Sequence, residues 1–534
     1  MADQQVIQVS RLLDERGLSF FQIKLLVWSM FIVFIDGYDI GAIAFAAPSL
    51  IKSFGVAPNA LGPVFSASLA GILFGSGLFG WVGDRFGRRT ALIGSMLLFG
   101  AFTFSAAYST NLKEMFWLRL FAGVGIGGVI PNIVAINIES APNNPRATLA
   151  LVAVGCVPIG GAIPGFVAAT LVPHYGWQIL FFIGGIAPIV IALTALVSMP
   201  ESIKYMVLHK SQRRNLEKLI ARIHPDFKVP ANARFVVEDE RQFPGFNPIY
   251  LFRDGLALIT PLLWLLFALN LMGYFFLASW TPTLLAAAQL PPTTAALAGA
   301  MLQVGGTVGA LSLCGWLERH RFFAITILFV IAVPVVASIG YAGVTSRAAV
   351  MIAAFFAGCC VLGIQSGINV AGALVYPTSL RANGSGWQLG IGRVGSIVGP
   401  LLGALFVGLP VQQLYLWSAL PFGLGAIICF AIHRLDTARL RERPWLREQR
   451  QPAAKYQALI GSRAPDLLMV EPFNHSARVV TGRRLTTYNL RIPDEASEAR
   501  TGYLASEGGE PDEPWGSAEA RVMENTHSGG LTPR

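Results

Sequence analysis

The chain carries twelve apolar segments, each about as long as the ~20 apolar residues that a helix needs to cross a bilayer. The composition agrees, because 54% of the 534 residues are hydrophobic and 13% are charged, whereas soluble domains carry about 25% charged residues. The sequence therefore predicts an all-α polytopic membrane protein with about twelve transmembrane helices. The segments lie at about residues 24–50, 61–83, 90–109, 114–138, 147–172, 177–199, 256–285, 293–317, 322–343, 348–373, 384–408 and 411–433.

A polar interval at residues 200–254 divides the segments into two sets of six, and the second set echoes the first at one offset of 235 residues. Pairs held in this register include Trp81 and Trp316, Pro142 and Pro377, and Arg146 and Arg381. Parallel repeats of this kind suit a transporter whose halves rock around a site at the membrane midplane. We expect an amino-terminal segment at 1–23, six-helix halves at 24–199 and 255–433, a central loop at 200–254 and a mostly disordered tail at 434–534.

The basic residues of the loops are distributed unevenly, and this sets the expected orientation. If the amino terminus is cytoplasmic, the outward loops hold only Lys52, Lys113 and Arg347, whereas the 200–254 interval alone holds ten lysines and arginines. We therefore expect a multi-pass protein of the cell's inner (plasma) membrane, with both termini, the central loop and the tail in the cytoplasm. The net charge of +10 then reflects orientation in the membrane rather than a nucleic-acid partner. The first twenty residues show no pattern of a cleaved signal.

Patterns that indicate an enzyme or a metal site are absent from the sequence. The five cysteines lie in apolar segments without metal-ligand spacing, where cysteine behaves as a small hydrophobic residue. We find no Gly-rich phosphate loop, no His/Cys cluster and no nucleophile elbow. We therefore expect a protein that is not an enzyme and that needs no metal or cofactor.

Two carboxylates, Asp36 and Asp39, interrupt the first apolar segment. A charged side chain at membrane depth costs at least about 2.5 kcal/mol, so it normally faces the bundle interior or a water-filled path. Residues at i and i+3 share one face of a helix, and Gly37 between them leaves room for a neighbouring helix or a ligand. The pattern indicates a proton or cation relay on a substrate pathway. The alternative is a helix that begins late and leaves the pair in an exposed turn at the interface.

Arg119 lies near the outer start of the fourth segment, about 8 Å into a hydrocarbon core of about 30 Å. Asp36 and Asp39 lie about 18–22 Å above the inner start of the first segment on the same scale. The levels coincide, so an Asp–Arg pair is available in which Arg119 would tune the carboxylates. The alternative is that Arg119 extends alone toward the outer interface.

Residues 80–89, with the sequence GWVGDRFGRR, form the turn between the second and third segments. This turn resembles the G-x-x-x-D-R-x-G-R-R signature of the major facilitator superfamily, which lies between helices 2 and 3 of that fold. Residues 119–127, RLFAGVGIG, resemble the family's R-x-x-x-G-x-x-x-G pattern in helix 4. The resemblance implies the two-half major facilitator fold, in which the turn latches the halves in one conformational state. The alternative is a basic turn without such a role.

The resemblance also implies gating roles for charged residues near the inner face. The second-half counterpart of the turn, around Glu318, is one residue out of register and lacks the full pattern. Residues 200–202, PES, close the sixth segment and resemble another cytoplasmic signature of the family. The predicted gating residues are Asp84, Arg85, Arg88, Glu139, Arg146, Glu318 and Arg381.

Arg393 lies about twelve residues, or ~18 Å, along the eleventh segment and therefore near mid-membrane. A permanently charged guanidinium there needs an anion, and the small residues on both sides leave room for one. No acidic residue lies in the apolar spans of helices 7 to 12, so a substrate carboxylate could fill this role. Alternatively, Asp36 or Asp39 could cross the bundle and neutralise Arg393 until a proton arrives. The other predicted substrate-binding residues are Tyr38, Tyr274, Trp387, Gln365 and Asn369.

Several stretches narrow the resemblance to the aromatic acid:proton symporter branch of the superfamily: DGYD in helix 1, GWQ before helix 6, WTPT in helix 7 and GIGR in helix 11. The resemblance covers roughly residues 20–435. It implies proton-coupled import of small, hydroxybenzoate-like carboxylates, with Asp36, Asp39 and Arg119 in proton coupling and Arg393 on the carboxylate. Protons, the substrate and the bilayer would be the partners of a monomer that is driven by the proton gradient. The alternatives are an exporter or carrier of another organic anion, or a membrane receptor for such acids.

Overall fold

The structure is a computed structural model, and it describes residues 6–9, 18–142, 146–208, 216–217, 219–220, 234–236, 248–253, 255–376, 380–442, 467–473, 476–481, 484–490 and 522–523. Within these residues, twelve helical stretches are long and apolar enough to cross a membrane. The twelve-helix membrane fold that the sequence predicts is therefore confirmed. The helices are α1 Phe20–Phe54, α2 Leu61–Phe86, α3 Arg88–Ala106, α4 Leu112–Ser140, α5 Cys156–Thr170, α6 Gln178–Ser198, α7 Ile259–Ala287, α8 Pro292–Ser312, α9 Cys314–Thr345, α10 Arg347–Val375, α11 Arg381–Phe406 and α12 Leu420–Glu442.

Shorter elements connect these helices. The helix Arg146–Val154 leads into α5, and Val411–Ser418 leads into α12. Strand β1, Val6–Gln8, pairs in parallel with β2, Arg234–Val236. Most of the predicted central loop at 200–254 lies outside the described residues. The other short helices are Val172–Tyr175 and Ile203–Leu208, and the 3-10 turns are Pro58–Ala60 and Pro248–Phe252.

Residues 437–534 form a separate compact unit. Its described part contains the strands β3 Leu467–Phe473, β4 Ser476–Thr481, β5 Arg484–Leu490 and β6 Val522–Met523, which pair antiparallel in that order. These strands were not predicted from the sequence, since most of the tail is expected to be disordered. Their β-branched residues, such as Val479 and Val480, favour extended structure. The rest of the tail lies outside the described residues.

Helices α1 and α5 cross at glycines that allow their backbones to touch. A Cβ atom on Gly37 would lie 2.1 Å from the carbonyl oxygen of Val157, and one on Gly160 would lie 1.8 Å from that of Phe34. Real Cβ contacts almost never come closer than 3.0 Å, so neither position accepts a side chain in this arrangement. The space beside Gly37 is therefore filled by a neighbouring helix rather than by a ligand, and α1 is fixed in rotation relative to α5.

The two halves, α1–α6 and α7–α12, meet mainly through the helix pairs α1 with α7, α2 with α11 and α5 with α8. We call the face where α1 begins and the α2–α3 turn lies the basic face, because the turn carries Arg85, Arg88 and Arg89. Contacts between the halves lie toward the opposite face. There, the Ser66 hydroxyl donates to the Ile397 carbonyl oxygen at 2.7 Å, and the rings of Phe65 and Trp280 meet edge to face at 5.2 Å.

Candidate functional site

Arg119 on α4 and Asp39 on α1 form an ion pair inside the amino-terminal half. Arg119 Nη2 lies 2.9 Å from Asp39 Oδ2, and Nη1 lies 3.1 Å from Oδ1, so the contact is bidentate. Both side chains are completely buried. The structure thus contains the Asp–Arg pair that the matched depths made available, and Arg119 does not extend alone to the interface.

Two hydroxyl groups complete this ion pair. Thr103 on α3 donates to Asp39 Oδ1 at 2.8 Å, and Arg119 Nε donates to Ser68 Oγ on α2 at 3.0 Å. Arg119 Nη2 also donates to the Asp39 carbonyl oxygen at 3.0 Å, and the guanidinium lies 5.9 Å from the ring centre of Phe181. Thr103 and Ser68 could not be predicted from the sequence, because isolated hydroxyl residues in apolar helices show no pattern. Removing one partner from such a buried pair costs about 3–5 kcal/mol, so the pair is tied firmly into this half.

Asp36 lies in a different environment from Asp39. It is completely buried, yet neither carboxylate oxygen has a hydrogen-bond partner among the described residues. Three residues advance about 300° around a helix, so the two side chains diverge by about 60°. Asp39 therefore turns toward α4, whereas Asp36 lies within electrostatic range of both Asp39 and Arg393 of the other half. The predicted pair is buried, as expected, but its two members do not share partners.

Arg393 on α11 is partly buried. The structure records no hydrogen bond from its guanidinium to a described residue, and no described carboxylate lies within 4 Å of it. The flanking glycines do not all leave space for an anion, which corrects part of the prediction. A Cβ atom on Gly392 would lie 2.1 Å from Phe267, and one on Gly395 would lie 2.0 Å from the Ala268 carbonyl oxygen, so α7 fills that side. A Cβ atom on Gly390 would have no neighbour within 4 Å, so the surface of α11 at Gly390 is open.

The predicted aromatic residue Tyr274 lies at the boundary between the halves. Its hydroxyl donates to Gln303 Oε1 on α8 at 3.0 Å, and both residues line a small pocket with residues of α1. Sequence analysis did not single out Gln303, because a single glutamine in an apolar helix carries no pattern. Substrate binding by Tyr274 stays a prediction.

Tyr38 and Trp387 have protein partners. Tyr38 is buried and its hydroxyl donates to the Leu180 carbonyl oxygen at 3.2 Å, so it packs within the amino-terminal half. Trp387 stacks on Trp264 of α7 with ring centres 5.8 Å apart. Both side chains therefore pack against other parts of the protein, and their predicted stacking on a substrate ring stays a prediction.

The two predicted amide residues of α10 differ in their surroundings. Gln365 is partly buried and accepts from Asn270 Nδ2 of α7 at 2.6 Å. Asn369 lies one helical turn nearer the basic face and is exposed. Substrate binding by either amide stays a prediction.

The predicted gating residues near the basic face form contacts within the amino-terminal half. Arg88 Nη2 lies 2.5 Å from Asp84 Oδ1, and Arg88 Nε lies 3.6 Å from Glu139 Oε1. Glu139 also accepts from the Ser202 hydroxyl. Because Asp84 is 69% exposed, its pair with Arg88 contributes at most about 1 kcal/mol to stability. The pair therefore contributes little to folding, and the gating role of these charges stays a prediction.

Glu201, in the PES stretch at 200–202, joins this network and is not among the predicted gating residues. Its Oε1 accepts from the backbone N–H groups of Arg89 and Ser202, each at 2.9 Å. Burial raises the pKa of the Glu201 carboxyl, and these hydrogen bonds oppose that rise. Gly87 has a φ of 101°, and a Cβ atom there would lie 2.2 Å from Glu201 Oε2. The glycine therefore allows the α2–α3 turn to close over this carboxylate.

The remaining predicted gating residues lie apart from this network or outside the described side chains. Arg85 is exposed and lies 5.7 Å from the ring centre of Trp81. Arg381 Nε donates to the Ala373 carbonyl oxygen near the end of α10 at 3.1 Å. The side chains of Arg146 and Glu318 are not among those described. Within the described residues, no cluster of His, Cys, Asp and Glu could hold a metal ion.

A family model described as the Major Facilitator Superfamily matches residues 29–400. The chain is 34% identical to the 4-hydroxybenzoate transporter PcaK of Pseudomonas putida over 76% of this chain and 90% of that protein. It is 30% identical to a gallate transporter of Pseudomonas putida over 82% of this chain and 97% of that protein. It is also 30% identical to a benzoate transport protein of Acinetobacter baylyi over 80% of this chain and 93% of that protein.

Solved structures share the fold at low sequence identity. A bacterial homologue of the human lysosomal transporter Spinster, solved in an inward-facing and unoccupied conformation, matches with a TM-score of 0.61 and 13% identity over 79% of this chain and 99% of that chain. The inward open xylose transporter XylE of E. coli matches with a TM-score of 0.58 and 15% identity over 76% of this chain and 95% of that chain.

The twelve helices, the two packed halves and the match over residues 29–400 define the class of the protein: it is a membrane transporter of the Major Facilitator Superfamily and not an enzyme. Within the superfamily it belongs to the branch of aromatic acid transporters. The resemblance that the motifs of helices 1 and 11 indicated is thereby confirmed.

Proposed function

We propose that the protein is a proton-coupled symporter that imports small aromatic carboxylates by alternating access. One observation carries the proposal: Asp36 is buried in one half without a hydrogen-bond donor, and the Arg393 guanidinium of the opposite half has no hydrogen-bonded or carboxylate partner among the described residues. A guanidinium in this position suits a carboxylate ligand, which it can hold in a bidentate contact. The names of the relatives support this class, because 4-hydroxybenzoate, gallate and benzoate are all aromatic carboxylates.

Asp36 is the carboxylate that we assign to the coupling proton. An ionised carboxylate without hydrogen-bond donors is costly in a buried site, and the charge of Arg393 offsets part of that cost. When Asp36 takes up a proton, Arg393 loses this counter-charge and becomes available to the substrate carboxylate. Asp39 already has a bidentate partner in Arg119, so we assign this pair to the positioning of α1. No cofactor is needed, because the proton gradient supplies the energy.

The basic face is the cytoplasmic face in this proposal, since positively charged loops remain inside. The contacts of Ser66 with Ile397 and of Phe65 with Trp280 then close the outer side of the pathway. These contacts support an inward-facing state for the structure. The protein would act as a monomer in the inner membrane, with both termini in the cytoplasm.

Transport by the purified protein in proteoliposomes tests the proposal. Labelled 4-hydroxybenzoate should accumulate when the outside is made acidic, and a protonophore should abolish the accumulation. A receptor would bind the acid without accumulating it, and a carrier of other anions would leave it outside. Accumulation that is independent of the pH gradient would contradict proton coupling.

The Asp84–Arg88–Glu139 network gives a prediction about conformational change. Asp84→Asn removes the charge that Arg88 contacts at 2.5 Å, at the basic face and away from Arg393. We expect slower transport, with the equilibrium affinity for 4-hydroxybenzoate unchanged within a few-fold. Initial uptake rates and equilibrium binding to the same preparation measure the two quantities. A selective loss of binding with a normal transport rate would contradict the gating role.

A further inference from the structure

A small pocket lies between α1, α7 and α8, where the halves meet. Most of its lining is apolar or glycine, including Ile40, Ala44 and Phe45 of α1. Its polar side chains are Tyr274 and Ser279 of α7 and Gln303 of α8. The space between them holds a group about the size of one water molecule. A hydroxyl group fits this space, whereas an aromatic ring does not.

The polar side chains of the pocket retain hydrogen-bonding capacity. The Tyr274 hydroxyl donates to Gln303 Oε1, so its oxygen can still accept a hydrogen bond. The Gln303 amide nitrogen has two N–H groups, and the structure records no hydrogen bond from them to a described residue. A hydroxyl oxygen in the pocket could accept from this amide while its proton is donated to Tyr274. The pair is therefore suited to a ligand hydroxyl, which is both a donor and an acceptor.

The pocket is aligned with the two charged groups of the site. Ile40 and Ala44 follow Asp36 by one and two helical turns on the same face of α1. On the other half, Gly392 and Gly395 place Arg393 level with residues 267–271 of α7. Tyr274 therefore lies about 5–10 Å beyond Arg393 toward the opposite face, at 1.5 Å per residue. A benzoic acid with a hydroxyl across the ring from its carboxylate spans a distance in this range.

We propose that Tyr274 and Gln303 form the subsite for the ring hydroxyl of a hydroxylated aromatic acid whose carboxylate is bound by Arg393. The inference rests on the proposed function and adds a substrate preference to it: the carrier selects 4-hydroxybenzoate over benzoate. A site built to hydrogen-bond a substrate hydroxyl discriminates strongly against an analogue without it, because the buried polar groups are then left unpaired. Ile40, Ala44 and Phe45 exclude water from these groups and so strengthen the discrimination.

Competition experiments with the full chain in proteoliposomes test the subsite. Unlabelled benzoate and 4-hydroxybenzoate compete against labelled 4-hydroxybenzoate, and the ratio of their inhibition constants measures the preference. We expect the preference in wild type to fall roughly tenfold in Tyr274→Phe and in Gln303→Leu, as the loss of one buried hydrogen bond implies. The matched control is Tyr376→Phe, which removes a buried hydroxyl that donates to Thr260 at 3.4 Å, away from the pocket. It should keep the wild-type ratio.

The outcomes separate the subsite from the proposed function. If wild type binds both acids but prefers neither, or if both pocket variants keep the preference of wild type, the subsite is wrong and the transport of aromatic acids stands. If wild type recognises neither acid, the proposed function is wrong and the subsite fails with it. The comparison of benzoate with 4-hydroxybenzoate in wild type needs no variant. The subsite can therefore be disproved even if a pocket variant misfolds. The 2- and 3-hydroxybenzoate isomers should compete more weakly than the 4-isomer, because their hydroxyls point away from the pocket.

Discussion

Asp36→Asn will abolish gradient-driven accumulation of 4-hydroxybenzoate while the protein remains folded. The neutral amide resembles the protonated acid in charge, so the carrier should be held in the form that can bind substrate. Exchange of labelled for unlabelled substrate should therefore continue, even though net uphill transport is lost. No described hydrogen bond depends on the Asp36 carboxylate, so the melting temperature in detergent should change little. Uptake under a pH gradient, exchange without a gradient and a thermal melt measure the three effects.

Asp39→Asn provides the comparison, because it changes the same atoms in a different environment. It leaves Arg119 buried beside a neutral partner, and breaking a buried ion pair in this way costs about 3–5 kcal/mol. We expect loss of accumulation together with a clear loss of thermal stability. Full accumulation in both variants would exclude the two aspartates from proton coupling. Normal accumulation in Asp36→Asn with loss in Asp39→Asn would transfer the coupling proton to Asp39.

Arg393→Lys should weaken binding of aromatic carboxylates by about ten- to a hundredfold. Lysine keeps the charge but lacks the planar pair of donors that a carboxylate accepts, and a hydrogen bond to a charged group is worth about 1.5–3 kcal/mol. Equilibrium binding of labelled 4-hydroxybenzoate measures the loss. The control is Arg347→Lys, which makes the same exchange at an exposed arginine at the start of α10. It should leave the affinity unchanged.

Competition by an uncharged analogue tests the same contact without a mutation. In wild type, 4-hydroxybenzamide should compete far more weakly than 4-hydroxybenzoate, because it lacks the anion that Arg393 requires. The two ligands should become more nearly equal in Arg393→Lys. Equal competition by acid and amide in wild type would show that Arg393 does not bind the carboxylate, and the proposed substrate class would be wrong.

Segment length and composition predicted the twelve helices, because crossing a bilayer imposes a physical length on each apolar stretch. The rise per residue of a helix also placed Arg119 at the same depth as Asp36 and Asp39, and in the structure Arg119 pairs with Asp39. Spacing alone could not say which aspartate Arg119 would contact. That choice depends on the rotation of α1, which is set by its contact with Val157 and therefore by packing between distant parts of the chain.

Side-chain partners within the site were less predictable than the helices. Tyr38 is adjacent to the aspartates in sequence, yet its hydroxyl reaches Leu180 on α6 because it lies on another side of α1. Gln303 and Thr103 are single polar residues in apolar helices, and only the assembled bundle shows that they meet Tyr274 and Asp39. The glycines around Arg393 suggested free space, but small residues serve close helix packing equally well, and two of them contact α7.

Because α1 and α5 cross so closely, we expect the two helices to move together as one rigid unit during transport. Asp39 and Arg119 both belong to the amino-terminal half, so the distance between them stays constant when the two halves move relative to each other. Asp36 belongs to this half and Arg393 to the other, so in the proposed mechanism a movement of one half relative to the other changes the electric field at Asp36. In the proposed mechanism, the close contact at Gly37 and Gly160 therefore transmits the movement of this half to Asp36. Gly37→Ala would loosen the contact between α1 and α5. It should produce a carrier that leaks, even though every charged residue remains in place.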